Sequence, residues 1–263
     1  MFNLLKMHLF RARRYKLTWI LPIVLVLILA LVFGIVALVE RLAYTDMTVE
    51  TSLSAPTLSV DFFLTTLSML KAQIIPLMLC MFVLLFLGID RSTGYIKNIV
   101  GYLDNKVGVA GASLLLSAIY LLGLILVTCL VSLVSCVLIY DRIEFSDFGT
   151  FISYLGVFYL STLAFSMLLI MLADLMNRHI MVMVLGVLFL VFETVIYMPL
   201  NALIDYLSKS SFDLARYLPM LGTTLLLPDK SDPKFLIRLV LIAFGLLVGS
   251  FVLDVVALKK KDI

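Results

Sequence analysis

Few side chains in this sequence could take part in chemistry. The two histidines, His8 and His179, stand near basic residues at the edges of apolar runs, where we expect surface basic residues rather than metal ligands or general bases. There is no HExxH, no GxSxG and no Cys/His spacing of a metal site, and no GxxxxGK(S/T) loop for a nucleotide. The sequence predicts a chain that is not an enzyme and has no cofactor of its own.

Glu193 is the one acid well inside an apolar run, "VLFLVFETVIYMP". A carboxylate at the centre of a bilayer costs about 3 kcal/mol unless it meets water, a partner or a proton. It is either a structural acid, bonded to Thr194 or to a neighbouring helix, or a cavity-lining group that contacts cargo; both interpretations stay open. Lys71 is its natural partner, although the helical rise places Lys71 roughly 8 Å nearer the outer side.

Prolines and cysteines also occur in the apolar runs. Pro76 and Pro199 remove a backbone donor and are expected to kink their helices, either beside a transport pathway or simply for packing. With Lys71 and Glu193 they are the candidate cavity-lining residues. The cysteines, Cys80, Cys129 and Cys136, are predicted to be small core hydrophobes.

The composition is that of a membrane protein. Hydrophobic residues make up 63% and charged residues 14% of the 263 positions, and the mean hydropathy is +1.17. Soluble domains contain about 45–50% apolar and about 25% charged residues. Since a crossing helix needs about 20 apolar residues, the sequence predicts an all-α single transmembrane domain, 1–263, of six spans. They are 17–39, 62–89, 107–140, 148–173, 180–200 and 239–258, the first retained rather than cleaved.

Charge indicates the orientation. The N-terminal segment, the 90–106 loop, the 174–179 loop and the C-terminal tail carry twelve basic and four acidic residues, whereas the opposite side carries eight basic and eleven acidic ones. Basic loops remain in the cytoplasm. Both termini are therefore predicted to be cytoplasmic.

Two segments beside the spans are predicted to be helical. Residues 1–16 place Phe2, Leu5 and Leu9 at helical spacing among basic residues, which favours an interfacial elbow helix on the inner leaflet over a solvated basic flank. Residues 201–234 are too apolar for a plain loop. They are predicted to form short helices at the outer leaflet.

The loop "DRSTGYIKNIVGYLDNK", 90–106, shows an apolar stripe at helical spacing between two spans. Ser92 or Thr93 could cap the start of a helix. Such a helix either anchors the loop in headgroups or docks a cytoplasmic partner, and the residues alone leave both open. The stripe consists of Tyr95, Ile96, Ile99, Val100 and Leu103.

Three stretches together resemble the permease subunit of a type-2 ATP-binding-cassette (ABC) exporter: "LLKMHLFRARRYKLTWI", "GIDRSTGYIKNIVGYLDNKVGVAGASLL" and the "LKKKDI" tail. In that family an acidic residue precedes a Gly-x-x-Lys helix that ends at a basic residue. Asp90, Gly94, Lys97 and Lys106 hold those positions here. Asp90 replaces the more usual Glu, and "DNK" is a more acidic ending than the common one.

The resemblance implies a half-transporter of the bacterial cytoplasmic membrane. A cytoplasmic ABC ATPase, which binds ATP and Mg, would dock on the 90–106 coupling helix, and a second permease subunit, identical or a sister, would complete the pore; no nucleic acid is expected. Small permeases of this kind are similar to those of peptide-antibiotic resistance and lantibiotic immunity, which implies an amphipathic peptide or lipid-like cargo. The alternative is an ion-coupled secondary transporter with Glu193 as proton carrier, which predicts internal repeats and matching broken helices.

Overall fold

The computed structural model describes residues 2–47, 59–92, 107–140, 142–145, 148–176, 178–208 and 233–260. In these ranges the chain is almost entirely helical, as expected where a bilayer offers the backbone no hydrogen-bond partners. The elements are α1 (Phe2–Arg14), α2 (Lys16–Met47), β1 (Ser59–Asp61), α3 (Phe62–Lys71), α4 (Ile74–Ser92), α5 (Val107–Ile139), β2 (Arg142–Glu144), α6 (Phe148–Met176), α7 (His179–Ser208) and α8 (Pro233–Lys260).

Four of the described helices, α2, α5, α6 and α8, are long and apolar enough to cross a membrane. The pair α3–α4 adds a fifth crossing if it is counted as one span. In α7 the described apolar stretch, His179–Phe192, is shorter than a full crossing. The chain is thus an all-α multi-pass membrane protein, and the sixth crossing stays a prediction.

The second predicted span is broken rather than continuous. α3 and α4 meet at a bend of 49°, and Gln73 there has a φ of 57°, a left-handed conformation that is uncommon outside glycine. Pro76 explains the position of the break, because its ring would clash with the carbonyl four residues earlier, that of Ala72. Within the first turn of α4 the missing N–H of Pro76 costs little, since that group has no helical partner.

Helix ends also differ from the predicted spans. α6 continues to Met176, three residues beyond the predicted end, and includes Asp174. α7 continues to Ser208, so the first part of the predicted outer helices is an extension of this span. Residues 209–232 lie outside the described ranges.

One end of the bundle gathers both ends of the described chain. Leu4 of α1 packs in one buried cluster with Val109 at the start of α5 and with Val255 and Leu258 near the end of α8. α1 and the end of α8 therefore lie at the same end. Following the charge pattern, we call it the inner end.

A short parallel ladder, which the sequence did not predict, marks the opposite or outer end. β1 pairs with β2 in the register Ser59 to Arg142 and Asp61 to Glu144. Asp61 also caps α3, because its Oδ1 accepts hydrogen bonds from the N–H groups of Phe63 at 2.8 Å and Leu64 at 3.2 Å. The ladder ties the start of the broken span to the connection between α5 and α6.

Candidate functional site

The predicted coupling residues fall mostly outside the described ranges. Asp90 lies in the last turns of α4, and its side chain is outside the described part. Residues 93–106 are not described, so the coupling helix stays a prediction. They include Gly94, Tyr95, Ile96, Lys97, Ile99, Val100, Leu103 and Lys106.

The predicted cavity residues divide between the break and α7. Lys71 ends α3 and is half-buried, and its Nζ lies 5.9 Å from the centroid of the Tyr154 ring on α6, which is a cation–π contact. Glu193 lies within α7, with a side chain outside the described part. Pro76 is buried, whereas Pro199 is exposed inside α7. The structure therefore joins Lys71 to Tyr154, a residue that the sequence analysis did not single out.

His8 contradicts the expectation of a surface residue. His8 is only 3% exposed, and its ring meets that of Phe86 edge-to-face with centroids 6.0 Å apart. His179 is half-buried at the start of α7. A Cβ at Gly88 would lie 3.1 Å from the His179 Cβ, so the two backbones approach closely at this point. The histidines are packing residues that fasten α1 and α7 to α4.

Phe86 is where α1 meets the inner end of α4. Its ring, 3% exposed, lies 5.9 Å from the ring of Tyr15 and 5.9 Å from the guanidinium carbon of Arg11. With His8, three groups of the N-terminal segment thus surround one ring. Burial raises the pKa of the Tyr15 hydroxyl, so this group stays protonated and neutral at physiological pH.

An aromatic stack leads from this contact into the core. Phe86 stacks on Phe82 at 5.7 Å, and Phe82 stacks on Tyr120 of α5 at 3.7 Å. The hydroxyl of Tyr120 donates to the carbonyl of Thr18 in α2 at 3.4 Å. Four helices, α1, α2, α4 and α5, therefore share one line of contacts at the inner end.

The junction between α1 and α2 is held by side chains that satisfy the last carbonyls of α1. The Thr18 hydroxyl donates to the Ala12 carbonyl, and the Trp19 indole N–H donates to the Arg13 carbonyl at 2.9 Å. Such carbonyls have no partner within their own helix. These bonds fix the direction in which α1 leaves α2.

α7 packs against α4 along small residues. At Gly186 a Cβ would lie 3.0 Å from the Cys80 Sγ of α4 and 3.0 Å from the Leu169 Cδ1 of α6. Close approach at small residues is the usual basis of helix association in membranes. α4 is therefore held by α7 on one face and by α1 at its inner end.

Two buried acids complete the inner half of the bundle. Asp174 near the end of α6 is fully buried, and Asp254 of α8 is 1% exposed. The predicted loop at 174–179 is wrong at Asp174, because α6 extends past this residue. Within the described ranges, no group of three or more His, Cys, Asp or Glu side chains is placed to hold a metal ion.

The sequence contained a signal for the contact of α1 that was not used. Leu4, His8 and Ala12 recur every four residues and are all buried, whereas Leu9 of the predicted stripe is exposed. The histidine in the middle made this face appear polar. No comparable signal marked Phe86, because one phenylalanine in an apolar run does not reveal its neighbours.

Comparison of the sequence with models of known protein families and with curated proteins gave no match.

Proposed function

We propose that this chain is the membrane-spanning permease subunit of an ABC exporter, driven by a separate cytoplasmic ATPase. One observation carries the proposal: the end of α4 that leads into the 90–106 loop is held by α1, by α7 and by the aromatic stack through Phe86. A force applied to that loop would enter the packed core at once. A chain without a nucleotide-binding loop needs such a point of attachment.

The bend between α3 and α4 supplies the other part of the proposed mechanism. α4 is a continuous helix from Ile74 to Ser92, and it meets α3 at the left-handed Gln73. Domain and helix movements concentrate at a few residues that absorb the change in backbone angles. We therefore expect α4 to move about Gln73, close to Lys71, when the loop is pushed.

The proposal implies the following arrangement. The inner end faces the cytoplasm of a bacterial cell, the ATPase binds ATP and Mg there, and a second permease subunit, identical or a sister, completes the pathway. The large apolar side chains exposed on α2, α7 and α8 would be covered by lipid and by this second subunit. The cargo class that we propose is an amphipathic peptide or lipid-like molecule, as in peptide-antibiotic resistance.

The secondary-transporter alternative is less well supported. That class contains broken helices at corresponding positions of two halves. In the part of the chain that the structure describes, α3–α4 is the one bent pair of this kind, and α7, which carries Glu193, is a single helix.

Co-purification tests the proposal. The full chain is expressed with the ATPase encoded nearest to its gene, and the complex is isolated through a tag on the permease. The double variant Ile96→Asp/Ile99→Asp should lose the ATPase, because two carboxylates cannot enter an apolar groove. The volume-conserving control Ile96→Leu/Ile99→Leu should retain it.

Glu193→Gln separates docking from transport. It should leave the complex intact and change the transport rate. A well-folded Asp double variant that still holds the ATPase would contradict docking through 90–106, and a wild-type chain that binds no ATPase would refute the proposed function itself.

A further inference from the structure

A cavity of about 310 Å³ lies between α1 and the inner end of α4. Phe10, Arg11, Arg14 and Tyr15 line it from the N-terminal side, and Phe86 and Ile89 line it from α4. Its volume is near the lower limit of small-ligand pockets, about 300 Å³.

The lining is mostly apolar, and its charged side chains are all basic. Two of its six residues are arginines and none is acidic. Tyr15, which also lines the cavity, adds no negative charge. Guanidinium groups bind phosphate through paired, charge-assisted hydrogen bonds.

Aromatic rings hold both guanidinium groups in place. The guanidinium carbon of Arg14 lies 4.3 Å from the centroid of the Phe10 ring, and that of Arg11 lies 5.9 Å from the Phe86 ring. A guanidinium that rests on a ring face still presents the N–H groups of its edge. The arginines are thus positioned before any anion arrives.

The surroundings indicate that the anion belongs to a lipid. Phe10 and Ile89 of the lining are 57% and 39% exposed, so apolar side chains adjoin the charged part. Trp19, which donates to the Arg13 carbonyl on the same helix as Arg11 and Arg14, is 59% exposed. A free phosphate has no use for this apolar rim, whereas the glycerol and acyl parts of a phospholipid do. Anionic lipids are also abundant in inner leaflets.

We propose that this cavity is a binding site for a phosphate group, supplied by the headgroup of an anionic phospholipid. The site is independent of the proposed transport function, because only the N-terminal segment and α4 form it. A lipid in this position would bridge the two helices just before Asp90.

Trp19, the one tryptophan of the chain, provides the measurement. The full-length protein is reconstituted in vesicles of phosphatidylcholine. Increasing fractions of a brominated lipid are included, either brominated phosphatidylglycerol or brominated phosphatidylcholine, each carrying bromine at acyl carbons 6 and 7. Quenching of Trp19 by the brominated phosphatidylglycerol, in excess of that by the brominated phosphatidylcholine, gives the preference of the site. Arg11→Gln/Arg14→Gln should reduce this preference on the order of tenfold.

A matched control isolates the cavity from general surface charge. Lys6→Gln/Arg13→Gln removes the same charge from exposed positions of α1 that do not line the cavity, and should change the preference less than about twofold. Circular dichroism and gel filtration of both variants verify the fold, and Arg14→Lys, which keeps the charge but loses the planar fork, should give an intermediate value.

Titration of inorganic phosphate into vesicles of phosphatidylcholine alone distinguishes the two sources. No change in Trp19 emission, together with excess quenching by brominated phosphatidylglycerol, supports the lipid. An arginine-dependent response to inorganic phosphate without excess lipid quenching would overturn the lipid as the source. Equal losses in the two double variants would overturn the site.

Discussion

Substitution of Phe86 by alanine removes the ring on which α1 rests against α4. Phe86 contacts three rings, those of His8, Tyr15 and Phe82, and the guanidinium of Arg11. Each aromatic pair contributes about 0.5–1.5 kcal/mol and a cation–π contact about 0.5–1 kcal/mol. Together they predict a loss of about 2–5.5 kcal/mol, similar to the usual cost of truncating a buried phenylalanine, about 3–5 kcal/mol.

Most of this loss should appear as detachment of α1. Phe82 lies on α4 itself, so the contacts with His8, Tyr15 and Arg11 set the lower limit for α1 at about 1.5 kcal/mol. At this limit the open population of α1 rises about 12-fold. Trypsin measures it, because cleavage after the arginines of α1 requires the helix to open, and the cleavage rate follows the open population when reclosing is fast. The Phe86→Ala protein in mild detergent should therefore be cut within residues 11–14 at least about 12 times faster than wild type.

Phe244→Ala is the matched control, since Phe244 of α8 is 57% exposed and should affect stability by less than about 0.5 kcal/mol. A twofold or smaller increase in cleavage for Phe86→Ala, equal to that of the control, would refute the view that Phe86 holds α1 in place. Cleavage at many sites throughout the chain would show that the whole bundle had opened, and would contradict a local role.

Two further substitutions test the packing around α4. Gly186→Ala should lower the stability measured by SDS titration by about 1–3 kcal/mol, because its Cβ would lie 3.0 Å from the Cys80 Sγ. The control Gly245→Ala, whose Cβ would have nothing within 4 Å, should be neutral or slightly stabilising. Equal changes in stability for the two variants would contradict the close approach of α7 to α4. A double-mutant cycle of Lys71→Met and Tyr154→Leu should give a coupling energy of about 0.5–1 kcal/mol. A coupling energy of zero would contradict a stabilising cation–π contact between the two side chains.

The sequence predicted the helices well and their contacts poorly. Apolar runs bounded by charge locate α2, α5 and α6 to within a few residues at their inner ends, because the cost of burying charge in lipid depends on composition alone. The same apolar runs also contain Lys71 and Glu193. It says nothing about which helices touch, and so Tyr154 was not found as the contact of Lys71.

The break at Gln73 was predicted only in part. Pro76 signalled a disturbance, but a proline can either bend a helix or end it. The outcome depends on whether the surrounding groups accept a left-handed residue in the turn before the proline, here Gln73, three positions earlier. The ladder of β1 and β2 was beyond the sequence for a related reason. Three-residue strands carry almost no periodicity, and these two pair across more than eighty residues of chain.

His8 shows why composition misleads at the inner end. A histidine among arginines reads as a solvated base, yet its face of α1 also carries Leu4 and Ala12, and all three are buried. The arginines of the same helix lie on other faces, where Arg11 and Arg14 line the cavity. One short helix therefore divides its residues between packing against the bundle and presenting charge.

Under the proposed function, this division suits the inner end of α4 to receive a force from the ATPase. A loop whose flanking helix was not packed against the bundle would move by itself, and a force applied to it would not reach the other helices. Here the helix that enters the loop is held by α1, itself tied to α2 through Thr18 and Trp19, and by α7 through Gly88 and Gly186. The outer end of α4, by contrast, meets a bend. In the proposed permease, α4 is packed against α1 and α7 where the ATPase would push and is bent at Gln73 where the pathway would open. It would then transmit a small displacement over about 28 Å of helix.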